Sequence, residues 1–138
     1  MDAFDMVVIG AGPAGEKGAA QAAYFGKRVA MVDRAEDPGG SAVRNAGVPA
    51  KTLRETALYI TGFRRRDIYG LSLQLDPSLA LERLMARTTD VIATRTESVR
   101  LNLDRHRVRQ FRGQAKLCLV RPCWCALMMG RSAPYERT

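Results

Sequence analysis

Cysteine is scarce and badly placed for a covalent framework. The 138-residue chain has three, Cys118, Cys123 and Cys125, all within its last twenty-one positions. A fold stapled by disulfides is excluded, and a reducing cytosol is the expected compartment. The same C-x4-C-x-C run lacks the paired ligand spacing of a zinc site, so no metal is expected. Histidine occurs once, as His106, with no nucleophilic serine or cysteine beside it in a motif, which leaves a catalytic triad unsupported. No apolar run reaches the roughly 18–20 residues of a membrane span. The N-terminal MDAFDMVVIG carries acid where a secretory signal needs base, so a cytoplasmic protein without a membrane partner is expected. Aromatic residues make up only 7% of the chain. Phe111 alone interleaves Arg105, Arg107, Arg109 and Arg112, and no nucleic-acid motif accompanies them, so a solvated face is expected rather than a nucleic-acid partner. On that reading Arg105, Arg107 and Arg109 share one strand face. No internal repeat is present.

What is there fits a globular chain: 46% apolar and 26% charged residues, enough for one domain with a real core but short for a complete enzyme with two cofactors. The net charge of +8 is uneven. Residues 1–43 balance at −2, residues 44–117 at +8 and residues 118–138 at +2. The basic excess therefore belongs to the second half.

Phe4–Ile9 is a short β-branched apolar run that stops at glycines, the pattern of a buried parallel strand. Pro13–Phe25 is Ala-rich, opens on proline and closes before Gly26, which predicts a helix. Arg28–Asp33 is apolar and extended again. Together they predict a βαβ unit. The sixteen residues after Asp33, RAEDPGGSAVRNAGVP, read as a loop too long for a plain connector. A second helix is expected from Lys51 to Phe63, then an Arg-rich turn at 64–67 before Ile68–Leu71. From Pro77 to about Asp104, Leu81, Leu84, Met85, Thr88, Val91, Ile92, Val99 and Leu103 mark one stripe of a helix reaching roughly 40 Å. Val108–Leu117 reads as a strand with a turn at Gly113. The remainder, Cys118–Thr138, shows neither period.

Gly10-Ala11-Gly12-Pro13-Ala14-Gly15 is G-x-G-x-x-G placed between the first strand and the first helix. By itself this hexapeptide says little. Its context makes the case for a dinucleotide: a strand before it, a helix after it, a second strand, and Asp33 at that strand's end. Gly10 permits the tight turn, Gly12 lets backbone approach a pyrophosphate, and Gly15 lets helix and strand pack closely. Free N–H groups at the helix start would face phosphates. Asp33 is placed to accept hydrogen bonds from an adenosine ribose.

The run Gly39-Gly40-Ser41-Ala42-Val43-Arg44-Asn45-Ala46-Gly47-Val48-Pro49-Ala50-Lys51-Thr52-Leu53 resembles the flavin-proximal segment of the class I pyridine nucleotide-disulfide oxidoreductases, the family of dihydrolipoyl dehydrogenase and glutathione reductase. In that family a redox Cys-x4-Cys follows the paired glycines. Here those positions are Ala42 and Gly47, so no dithiol is available. With Gly15–Val29 and Lys51–Tyr59 added, the chain is similar to the soluble, FAD-containing transhydrogenase branch, which works without the cysteine pair. The similarity extends to Gly113-Gln114-Ala115. It implies FAD as cofactor and hydride transfer from NADPH to NAD through the flavin. By the same resemblance Gly10, Gly12, Pro13, Ala14 and Gly15 would hold the pyrophosphate, and Asp33 and Arg34 the adenosine side. Gly39, Gly40 and Ser41 would line the flavin-side turn, Lys51 would be the catalytic cation near the flavin N5 edge, and Ala115 would present backbone to the adenine. Three positions depart from the pattern: Arg44 for a small polar residue, Ala46 for glycine and Ala50 for serine. If position 46 needs left-handed backbone, Ala46 is strained by about 1 kcal/mol.

The expected architecture is α/β: a Rossmann-like βαβ core at 1–117, forming an incomplete FAD-binding domain with a long helix, and an unrelated or disordered tail at 118–138, as truncation or a frameshift would leave. The family's NAD(P) domain and homodimer interface do not fit in this length. The expected function is an FAD-binding oxidoreductase fragment, inactive alone; the alternatives are a non-catalytic nucleotide-binding remnant or a dihydrolipoyl dehydrogenase-like flavoprotein without its redox cysteines.

Overall fold

The structure is a computed structural model that describes residues 3–64, 76–120 and 123–129. The expected turn and apolar segment at 65–71 and the end of the tail at 130–138 lie outside the described residues. Two compact units are present. Residues up to Gly40 and from Thr96 onward form the first, and Ser41–Arg95 form the second.

In the first unit, β1 (Met6–Ile9), α1 (Pro13–Tyr24) and β2 (Val29–Asp33) make the expected βαβ unit. β1 and β2 run parallel, with Met6 opposite Val29 and Ile9 opposite Val32. β3 (Arg109–Arg112) pairs parallel on the far side of β2, from Ala30–Arg109 to Asp33–Arg112, giving the order β1-β2-β3. This is an α/β fold with a Rossmann-like core. The middle strand is buried from Val29 to Val32. β1 departs from expectation: Met6, Val7 and Ile9 are 40%, 41% and 52% exposed, because an end strand has only one neighbour to cover it.

The core joins Val29 and Met31 of β2 with Ala11, Ala19 of α1, Val99 and Leu103 of the long helix, and Val108. Val29 and Met31 point to the same face because side chains alternate along a strand. α1 therefore packs on that face by its Ala stripe, where small side chains let it lie close to the sheet. Both helices of this layer end alike. After α1, Gly26 N–H reaches Ala23 O (2.9 Å) and Lys27 N–H reaches Ala22 O (3.2 Å), with Gly26 at φ 77°. This is the Schellman pattern.

The helix α4 (Pro77–Arg105) has 29 residues, as its stripe predicts. Asp76 caps it: one carboxylate oxygen accepts from Ser78 N–H (2.9 Å), Ser78 Oγ (2.6 Å) and Leu79 N–H (3.4 Å). The stripe is only partly buried. Val99 and Leu103, in the turns that belong to the first unit, are buried, whereas Leu81 and Met85 are exposed. The arginines do not share a strand face. Arg105 ends α4 and Arg107 sits in the turn after it at φ 54°, so only Arg109 and Arg112 are on β3. The helix stop at Arg107 breaks the alternation that a strand would have given.

Two further differences follow from side chains that suit more than one conformation. The expected loop at 34–49 contains a short helix, α2 (Gly40–Arg44), and α3 (Gly47–Arg64) starts four residues before Lys51. Pro49 is tolerated there because first-turn N–H groups have no partner inside the helix. After Gly113, β4 (Gln114–Val120) and β5 (Cys123–Met129) pair antiparallel, so regular structure continues past residue 118 where no period was evident. Among the described residues no helix is long and apolar enough to cross a membrane.

Candidate functional site

All three parallel strands end at the same edge of the sheet, and the segments leaving them are tied together. Gly10 N–H donates to Val32 O (2.8 Å), Gly39 N–H to Ala11 O (2.7 Å) and Gly113 N–H to Asp33 O (2.8 Å). The Asp33 carboxylate joins the same knot, accepting from Ala11 N–H through Oδ2 (2.6 Å) and from Ala35 N–H through Oδ1 (2.8 Å). Ligands of open α/β sheets bind at this carboxyl edge.

Backbone angle or crowding reserves most of these glycine positions for glycine. Gly10 has φ 101°, a conformation that side chains rarely adopt. A Cβ on Gly15 would lie 3.2 Å from the Gly10 carbonyl carbon and from Val8 Cγ1, and closer still to the Gly10 oxygen, so helix and strand meet there without room for a methyl. Gly39 and Gly40 have φ 114° and 61°, and a Cβ on Gly40 would come 2.8 Å from Gly12 Cα. The paired-glycine turn is thereby brought against the glycine loop. Gly12 itself is different: its backbone is extended at φ −73°, and a Cβ there would meet nothing within 4 Å. The loop is crowded at Gly15 and open at Gly10 and Gly12.

Gly12 caps α1 without any side-chain hydrogen bond, and Pro13 follows it. The first-turn amides of Ala14 and Gly15 therefore have no side-chain acceptor, and they lie at the positive end of the helix dipole. Absence of side chains at 10, 12, 15 and 40, an open approach and unclaimed amides fit a pyrophosphate. Beyond Asp33 the chain is pinned by ion pairs: Arg100 to Asp37 (2.7 Å) and Arg112 to Glu36 (3.3 Å). Arg34 is exposed beside Asp33, and Ala115 stands on β4 opposite Met128.

Ser41 and Lys51 lie in the second unit. Lys51 is on the second turn of α3 with its ammonium 3.8 Å from Glu55, both side chains exposed. Their part in a site rests on the sequence pattern. Ala42 and Gly47, the positions of the absent cysteine pair, are neighbours: a Cβ on Gly47 would lie 3.1 Å from Ala42 O and 3.9 Å from its Cα. The strain expected at Ala46 is not found. Arg107 is the one described non-glycine residue with positive φ, and Ala46 instead precedes α3 with its carbonyl accepting from Ala50 N–H (3.0 Å).

One pair escaped sequence reasoning. Glu16, one residue past the glycine loop, is 3% exposed and accepts from Asn102 Nδ2 on α4 (2.7 Å) and from Lys17 Nζ (3.0 Å). It fastens α4 to the start of α1. An acidic residue in an Ala-rich helix reads as surface, and its partner is 86 positions away.

A parallel sheet whose first turn carries this glycine loop, with the acidic end of β2 beside it, is the Rossmann-like core of an α/β protein. The chain belongs to the pyridine nucleotide-disulphide oxidoreductase family, whose model matches residues 4–124. It is 44% identical over 108 residues to a soluble pyridine nucleotide transhydrogenase of Mycobacterium bovis, covering 78% of this chain and 23% of the relative. It is 33% identical over 113 residues to the soluble pyridine nucleotide transhydrogenase of Chromohalobacter salexigens (82% and 24%), and 29% identical over 117 residues to dihydrolipoyl dehydrogenase 3 of Pseudomonas aeruginosa (85% and 25%). The chain thus spans about a quarter of the length of these relatives. The family match also runs past residue 117, where the sequence pattern alone stops.

Proposed function

We propose that the chain is the FAD-binding part of a soluble NAD(P) transhydrogenase. The observation that carries this reading is the meeting of Gly10–Gly15, Asp33, Gly39, Gly40 and Gly113 at one sheet edge, with open space over the extended backbone of Gly12. Gly10, Gly12 and Gly15 give the backbone room, and the Ala14 and Gly15 amides hold a pyrophosphate. Asp33, Arg34 and Ala115 stand at the adenosine side. When bound, FAD supplies a ring that accepts a hydride and gives it up again. Gly39, Gly40 and Ser41 serve the flavin-side turn, and Lys51 contributes a positive charge that favours the reduced ring; for Ser41 and Lys51 the support is the resemblance.

The branch without a redox dithiol is favoured over a dihydrolipoyl dehydrogenase because Ala42 and Gly47 occupy the two neighbouring positions a disulfide would need. G-x-G-x-x-G occurs once in these 138 residues, whereas exchange between two nicotinamide nucleotides needs a second nucleotide site. The 138 residues alone are therefore expected to bind flavin in the cytoplasm without turning over. Purified protein should show flavin absorption, as isolated or after adding FAD, and no reduction of an NAD analogue by NADPH. Colourless protein that takes up no FAD contradicts the reading.

A further inference from the structure

We infer that Cys118 and Cys125 form a redox-active pair, a cross-strand dithiol that closes to a disulfide by exchange with a soluble disulfide of the glutathione type. The inference is independent of the nucleotide-binding reading above. In the antiparallel pair of β4 and β5 the register sets Cys118 directly opposite Cys125. Directly opposed residues share one face of the ladder, with α-carbons about 4.5–5.5 Å apart. A disulfide spans α-carbons about 4.4–6.8 Å apart. Backbone placement therefore meets the requirement before any oxidant arrives.

The third cysteine makes the register selective. Cys123 stands opposite Val120, so it lies on the same face as Cys118 and Cys125, two positions before Cys125 on β5. From Cys118 it is a diagonal neighbour at about 7–8 Å, which a disulfide cannot bridge unless the backbone moves. From Cys125 it is two strand positions away, about 6.6–6.8 Å along extended chain, at the upper limit of the range. Of the pairs that three thiols allow, only Cys118 with Cys125 falls well inside it. Sequence spacing alone favours the two nearest cysteines, whereas the register favours the two farthest apart. The bridge ties β4 to β5 and no other elements.

The exchange balances without a metal or a flavin. One cysteine of the pair, as thiolate, attacks a sulfur of the soluble disulfide; that S–S bond breaks, a mixed disulfide forms and one soluble thiol leaves. The other cysteine gives up its proton, attacks the protein sulfur of the mixed disulfide, closes the cross-strand bond and releases the second soluble thiol. The protein pair is oxidised by two electrons, and the soluble disulfide is reduced to two thiols.

Thiol titration and intact mass of the 138-residue chain, equilibrated with oxidised and reduced glutathione, test the pairing in wild type, Cys118→Ser, Cys123→Ser and Cys125→Ser. Wild type should lose two of its three thiols without retaining glutathione, Cys123→Ser should close at the same ratio of oxidised to reduced glutathione, and dithiothreitol should reopen both. Cys118→Ser and Cys125→Ser should stay open or carry glutathione, closing only at a ratio at least about tenfold higher. Unfolding in urea should abolish the advantage of Cys123→Ser over Cys125→Ser, because the two loops to be closed are then similar in length. Alanine replaces any serine variant that fails to fold. Native Cys118→Ser or Cys125→Ser closing as readily as Cys123→Ser overturns the inference. So does wild type that takes up glutathione without closing, or an advantage of Cys123→Ser that survives urea.

Discussion

Arg107 holds φ 54° where the equivalent turn after α1 uses Gly26. Its N–H donates to Asp104 O (2.9 Å) and Val108 N–H to Leu103 O (3.0 Å), the Schellman stop that α1 also has. Val108 and Leu103 both belong to the core, so this hydrophobic closure holds the chain in a conformation that a Cβ disfavours. Arg107→Gly should therefore stabilise the protein by about 0.5–1 kcal/mol, read as a rise in thermal midpoint. Glu16 presents the opposite case. Truncating its partner, Asn102→Ala, leaves a buried carboxylate with only Lys17 beside it. A loss of about 1–3 kcal/mol is expected in denaturant unfolding, with Glu16→Gln less damaging because it keeps an acceptor. Two surface carboxylates give an acid-side dependence. The Arg28 guanidinium beside Asp5, with the Arg28 amide, holds that carboxyl below its ordinary 3.8, and the Ser78 hydroxyl, with the Leu79 and Ser78 amides, does the same for Asp76. In the unfolded chain these groups take up protons first as pH falls. Their stabilisation is thus complete above 3.8 and fades as pH drops through the lower folded values. Thermal midpoints of wild type should fall more steeply with acid than those of Asp76→Ala.

At the level of elements, the sheet is asymmetric. β2 is buried on both faces and β1 is open, though both are equally apolar in sequence. Lysine at Val7 should cost little in thermal unfolding, whereas lysine at Ala30, its partner across the ladder, should prevent folding because an unpaired charge cannot be buried there. Apolar pattern marked both strands but could not tell edge from centre, since that depends on β3 arriving from 80 residues later. Local punctuation was legible where one residue type has one use: Pro13 opening α1, Gly26 closing it, and the glycine loop between strand and helix. Gly40–Arg44 was not, because a glycine-rich stretch permits a loop and a short helix alike. The break at Arg107 was hidden because arginine is a poor advertisement for left-handed backbone. Of the site, the glycines and Asp33 were visible in the motif; the engagement of Asp33 with Ala11 was not, since motif spacing says which residues are near but not which atoms bond.

Over the whole chain, the basic excess lies outside the nucleotide loop, in residues 44–138. Part of it is consumed in ion pairs that shape the loop after β2, Arg100 with Asp37 and Arg112 with Glu36. In the proposed site the open approach at Gly12 receives the pyrophosphate of FAD. Alanine at 12 suits the extended backbone and meets no protein atom within 4 Å, so it tests the site without disturbing the fold. Isothermal titration of FAD into wild type and Gly12→Ala, with circular dichroism and thermal midpoints of both, is the most direct measurement. Saturable one-to-one binding by wild type, weakened at least about tenfold in a Gly12→Ala protein of unchanged midpoint, is predicted, because the methyl takes the space the phosphates need. Equal FAD affinity in the two proteins, or none in wild type, would contradict the account.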